Sequence, residues 1–188
     1  DALEENLAAV ARAGIPVVIG ITGLDAARMA AVRKASQALP VLVAPNMSLA
    51  VNLLFGLADR AAAALPADYD VEILEAHHRN KADAPSGTAL RLGEIVAGAR
   101  DGRLAELAVY GRRGQAAARA PGSIGFSSLR AGDIVGEHHV LFAGTGESLE
   151  LVHRATDRMT FAYGALAAAR WLVGRPPGLY GMSHVLGL

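Results

Sequence analysis

The apolar positions follow one periodicity up to about residue 65 and another beyond it. Leu3, Leu7 and Val10 recur at helical spacing and Gly14 follows, which predicts an amphipathic helix closed by glycine. Pro16 to Thr22 (PVVIGIT) is a short β-branched run, as expected of a buried parallel strand. Asp25 is placed to cap a second helix with Met29, Val32, Ser36 and Leu39 on one face, and Val41 to Val43 reads as another strand. Helix, strand, helix, strand in this order is part of a doubly wound α/β domain. The turns Gly20-Ile21-Thr22-Gly23 and Ala44-Pro45-Asn46-Met47 then fall at the carboxyl edge of its sheet, where such folds bind ligands.

Ser48 should cap a long helix to about Leu65, apolar almost all round and so expected to be largely buried. After the Leu65-Pro66-Ala67-Asp68 break, Val71, Ile73 and Glu75 alternate with Glu72, Leu74 and Ala76, a strand with two unlike faces. A helix is predicted from about Thr88 to Arg100, stopped by Asp101-Gly102. Strands follow without helices between them: Leu107 to Tyr110, Ser123 to Leu129, Ile134 to Phe142 and Ser148 to His153. A last helix is predicted over about Arg158 to Val173. The fold class is α/β, part of a parallel-sheet domain followed by an α+β domain with a mixed or antiparallel sheet. The expected divisions are 1–47, 48–165 and a tail, 166–188, that returns toward the first.

Composition narrows the classes. Of 188 residues 52% are apolar and 19% charged, which suits a packed core and argues against disorder. Lys+Arg and Asp+Glu both number 18, so no net charge favours nucleic acid or an anionic membrane. No run approaches the roughly 18 apolar residues of a membrane span. There is no cysteine, which removes disulfides, thiolate metal sites and a cysteine nucleophile, and fits a reducing compartment. We expect a cytoplasmic protein.

The densest chemistry lies in Glu75 to Leu90, EAHHRNKADAPSGTAL. His77 and His78 are neighbours on an extended strand, so they face opposite ways and do different jobs. Histidine is the usual proton carrier near neutral pH, and Lys81 is a compact cation that can anchor a carboxylate or pass a proton. Ser86, Gly87 and Thr88 open a helix whose N-terminal N–H groups suit an anion. Taken singly, each residue also fits an exposed loop with a Ser/Thr cap; together they suit a small anionic substrate that is protonated as it reacts. Arg158, at a helix start, can clamp a second carboxylate, or it is a surface arginine. His138, His139 and His153 read as sheet-face histidines rather than metal ligands, and no metal is expected.

The string closely resembles the substrate-site motif of the 4-hydroxy-tetrahydrodipicolinate (dihydrodipicolinate) reductase family. The resemblance extends to Val18–Gly23, Ala44–Ser48 (with Met47 where the family usually has an aromatic), Ser123–Phe126, Arg130–His138 and His153–Phe161. It implies a Rossmann-like nucleotide domain and hydride transfer from NADH or NADPH to a cyclic imine dicarboxylate, in diaminopimelate and lysine biosynthesis. It further implies His77 as proton donor, Lys81 as assisting cation and acid, and His78, Ser86, Gly87, Thr88 and Arg158 as carboxylate ligands. Gly20, Ile21, Thr22, Ala44, Pro45, Asn46 and Met47 would line the nicotinamide side, in a homotetramer. The family's glycine-rich phosphate loop has no counterpart here: no G-x-G-x-x-G occurs, and we expect a chain that begins downstream of it. Two other readings stand beside this one, an assembly module without turnover and a metal-dependent hydrolase using His77, His78 and Asp83.

Overall fold

The computed structural model describes residues 2–114 and 117–188. In chain order the first elements are α1 (Ala2–Ala13), β1 (Val17–Ile19), α2 (Ala26–Ser36), β2 (Pro40–Val43), α3 (Leu49–Ala64), β3 (Asp70–His77) and α4 (Gly87–Ala99). There follow α5 (Leu104–Leu107), β4 (Ala108–Tyr110), β5 (Ile124–Arg130), β6 (Gly136–Ala143), β7 (Ser148–Ala155), α6 (Met159–Leu172), β8 (Gly178–Tyr180) and α7 (Met182–Leu186). They divide into two compact units. One runs to Leu53 and resumes at Met159–Leu188; the other is Leu54–Arg158.

The first unit is built on a parallel sheet in the order β1-β2-β8. Successive residues of β2 point to opposite faces. Val41 packs with Leu7, Ile19, Val32 and Leu39, on the side of α1 and α2. Leu42 packs with Ala44, Met47, Ala168, Leu172 and Met182, on the side of α6 and α7. Two covered faces explain why the strand is apolar throughout instead of alternating. Asp25 caps α2 as expected, its carboxylate accepting the Arg28 N–H at 2.8 Å. The short β8 and α7 had no sequence signal, because three to five residues hold no measurable period.

The second unit is a five-stranded mixed sheet, ordered β4-β5-β3-β6-β7. β4, β5 and β3 run parallel, while β6 and β7 add antiparallel to β3 and to each other. On the inner face Val71 and Ile73 stand beside Ile124 and Phe126 on one side and Phe142 and Val140 on the other. Leu54, Ala58 and Ala62 of α3 and Leu92 and Val96 of α4 complete this core. α3 departs from the expectation of all-round burial. Val51, Leu54, Ala58 and Ala62 are buried, while Leu53 and Leu57 are 41% and 46% exposed. A sheet covers one face of a helix, however apolar the other face is.

Candidate active site

The inner register of β3 changes character toward its end. After the buried Val71 and Ile73, the same face continues with Glu75 and His77. Glu75 lies opposite Ser128 of β5 and His138 of β6, and His77 lies opposite Arg130. His138 in turn faces His153 on β7. A row that would extend the core is polar instead.

Glu75 is only 3% exposed, and an isolated buried carboxylate is strongly disfavoured. Arg130 resolves this with a two-pronged pair, Nη2 to Oε1 at 2.7 Å and Nη1 to Oε2 at 2.9 Å. His77 Nδ1 adds a third contact, 2.6 Å from Oε2. Burial pushes the Glu75 pKa up. Hydrogen bonds from Arg130, Ser128 and His77 outweigh it and hold the group below the usual carboxylate range. The His77 pKa is lowered, chiefly by burial, with Lys81 and Arg130 adding to the effect and Glu75 opposing it. Its Nε2 lies beside Gly136, where a Cβ would stand 3.1 Å from that nitrogen.

Ser86 is buried and its hydroxyl has two protein partners. Its Oγ accepts the Ala89 N–H at 3.2 Å, capping α4, and lies 3.1 Å from His138 Nε2. Its part is to fix the turn, so that Gly87 and Thr88 bring the helix N-terminus forward; the Cβ direction of Gly87 is open. Lys81 Nζ lies 2.8 Å from Asp83, whose backbone oxygen accepts from Arg130 at 2.6 Å. The loop after β3 is thereby tied to the same arginine that holds Glu75. His78 instead lines an open groove with Arg79, Asn80, Gly132 and Asp133. Arg158 is exposed, in the turn ahead of α6. In the other unit, Gly20 follows β1 and Ala44–Met47 follows β2, and these two loops touch: a Cβ on Gly20 would come within 3.2 Å of Met47 Cε. Asn46 Oδ1 accepts the Ser48 N–H, and its backbone oxygen accepts from Asn52, both at 2.9 Å. Ala44 and Met47 are buried; Gly20, Ile21, Thr22 and Pro45 are exposed.

Sequence reasoning did not single out Glu75, Arg130 or His138 for the site. The available signal was a glutamate continuing an apolar register, since a buried charge demands a partner. The hydrolase constellation of His77, His78 and Asp83 is not gathered: His77 faces Glu75, His78 faces the groove and Asp83 pairs with Lys81. Among the described residues no three His, Cys, Asp or Glu side chains stand where they could share a metal ion.

His138 sets an acid limit on stability. Burial, reinforced by repulsion from His77 and His153, lowers its pKa from 6.5 to about 3. The unfolded chain therefore binds a proton between those values that the folded chain does not, so stability falls as pH drops through that window. Thermal unfolding followed from pH 7 to pH 4 should show a shallower decline for His138→Gln than for the parent. An equal slope would remove His138 as the cause.

The family profile described as "Dihydrodipicolinate reductase, N-terminus" matches residues 1–47, and "Dihydrodipicolinate reductase, C-terminus" matches residues 50–186. The 4-hydroxy-tetrahydrodipicolinate reductase of Thiobacillus denitrificans is 57% identical over 182 residues, 97% of this chain and 68% of the relative. That of Pseudomonas fluorescens is 53% identical over all 188 residues, covering 70% of the relative. The chain thus spans about two thirds of its curated relatives. A solved structure described as dipicolinate-bound dihydrodipicolinate reductase from Paenisporosarcina sp. TG-14 superposes with a TM-score of 0.75 at 26% identity, covering 97% of this chain and 69% of that one. With profile matches across both units and relatives above half identity, the chain belongs to the 4-hydroxy-tetrahydrodipicolinate (dihydrodipicolinate) reductase family of oxidoreductases.

Proposed function

We propose that this protein reduces 4-hydroxy-tetrahydrodipicolinate to tetrahydrodipicolinate with NADH or NADPH, with His77 as the proton donor. The observation that carries this reading is the convergence, within one strand end and one helix start, of a half-buried histidine, a lysine and a helix N-terminus with open space at Gly87. The residues after β1 and β2 suit the nicotinamide side. Gly20 to Thr22 and Ala44 to Met47 stand at the carboxyl ends of adjacent parallel strands, and the bare Gly20 lets the two loops meet. When bound, the dinucleotide supplies the hydride.

The rest of the work falls to the chain. Gly87 and Thr88 N–H groups and Lys81 take one carboxylate, with His78 and Arg158 reserved for the second. Ser86 serves indirectly, by capping the helix. Two bound carboxylates oppose the burial that lowers the His77 pKa, so the anionic substrate itself favours the protonated imidazole that donates. Lys81, 21% exposed and paired with Asp83, must exchange that partner for substrate. Lys81→Ala should weaken pyridine-2,6-dicarboxylate binding by roughly 10- to 100-fold, as expected for loss of one charged hydrogen bond. Titration calorimetry showing unchanged affinity would remove Lys81 from the pocket.

We also propose self-association into a homotetramer. On the outer face of the second unit's sheet, Leu74, Leu129 and Val152 are 41%, 54% and 40% exposed, an apolar area that further copies of the chain would cover. The activity is tested by following oxidation of NADH or NADPH on addition of freshly generated 4-hydroxy-tetrahydrodipicolinate. Substrate-dependent oxidation is expected. A folded oligomer that binds pyridine-2,6-dicarboxylate without oxidising either cofactor would favour the assembly module.

A further inference from the structure

From the geometry at the end of β3 we infer that Glu75 and Arg130 are positioning residues, holding His77 in the one tautomer and orientation that leaves Nε2 to face substrate. This inference rests on His77 as the proton donor.

Three observations support it. First, Glu75 and His77 are two residues apart on one strand, so both side chains stand on the same face, and Nδ1 lies 2.6 Å from Oε2. Second, the carboxylate is kept ionised by Arg130, at 2.7 and 2.9 Å, and an ionised carboxylate only accepts. Nδ1 must therefore carry a hydrogen whether the ring is neutral or charged. Only Nε2 changes its proton, and it is the nitrogen beside Gly136, where no side chain crowds it. Third, Arg130 also donates to the backbone oxygens of Leu129 and Asp83. The guanidinium is thereby fixed to its own strand and to the Lys81 loop, and Glu75 cannot turn away without leaving a buried charge unpaired.

The groups facing His77 are Glu75 from its own strand, Arg130 from β5, His138 from β6 and Lys81 from the following loop. Of these only Glu75 favours the imidazolium, so removing its charge must lower the His77 pKa. In Glu75→Gln the amide can give Arg130 only one oxygen. Its nitrogen then confronts Nδ1 and donates to it, and the neutral ring moves its hydrogen to Nε2. The imidazolium, the form acidic enough to donate, then gives way to the neutral ring at lower pH, and that ring holds its Nε2 hydrogen too tightly to donate it.

The test is nitrogen-15 NMR of histidine-labelled protein, with the His77 signals assigned by their loss in His77→Asn. The parent should show neutral His77 with hydrogen on Nδ1, and Glu75→Gln with hydrogen on Nε2 and a lower pKa. In steady-state assays Glu75→Gln should lower kcat roughly 10- to 100-fold, the usual cost of losing a group that orients a functional histidine. KM should change little, and the alkaline limb of the pH profile should move to lower pH. A parent ring with hydrogen on Nε2 overturns the inference without any variant, should Glu75→Gln fold poorly. An unchanged tautomer and pH profile in a folded Glu75→Gln also overturns it. Full turnover in His77→Gln would instead defeat the proton-donor reading and leave the tautomer result standing.

Discussion

His77→Gln is expected to lower turnover by about 100- to 10,000-fold while leaving substrate affinity nearly unchanged, the range typical of a lost general acid. Glutamine keeps a polar group of similar reach at the end of β3 and still offers Glu75 a hydrogen bond. The packing around Glu75 and Arg130 should therefore survive. What disappears is a proton that can be released, and that proton matters only in the transition state, so the loss falls on kcat. Steady-state kinetics on the folded variant measure the split. Turnover within about twofold of the parent, far inside the general-acid range, would sink the assignment.

The second large effect is structural. Gly164 lies on α6 where the helix crosses the loop after β2, and a Cβ there would sit 1.8 Å from the Met47 backbone oxygen and 2.8 Å from its carbonyl carbon. A flexible side chain could swing aside; a backbone carbonyl cannot. Gly164→Ala must therefore push α6 and the Met47 loop apart, at a cost of about 1–3 kcal/mol or more. Because the displaced loop is the one assigned to the nicotinamide side, KM for NADH or NADPH should rise as well. Pyridine-2,6-dicarboxylate binding should not change, since its pocket belongs to other residues. A thermal midpoint equal to the parent's, read by calorimetry, would show that α6 does not press on this loop.

Much of this arrangement was legible in residue patterning, because its causes are local. The cap at Asp25, the cap at Ser48 and the stop at Asp101-Gly102 each rest on groups within a few residues, and each stands where expected. Asp101 reaches its stop by adopting a left-handed φ of 56°. The two-faced character of β3 was equally plain from alternation. The Glu75–Arg130 pair was not, because it joins residues 55 apart through a parallel strand pairing that no periodicity encodes. Its only trace was a charge in a core register. His138 shows the same limit from the other side: it was read as a sheet-face histidine, but its bond to Ser86 spans 52 residues. Ser86 was read as a substrate-site residue; its further contact with His138, 3.1 Å from the hydroxyl that caps α4, had no trace in the sequence.

The position of the dicarboxylate decides the roles of His77, Lys81 and the α4 N-terminus. A crystal structure with pyridine-2,6-dicarboxylate tests this most directly. One carboxylate is expected on the Gly87 and Thr88 N–H groups and Lys81, the other toward His78 and Arg158, and the ring within reach of His77 Nε2. Clear ligand density elsewhere, with this pocket empty, would contradict it.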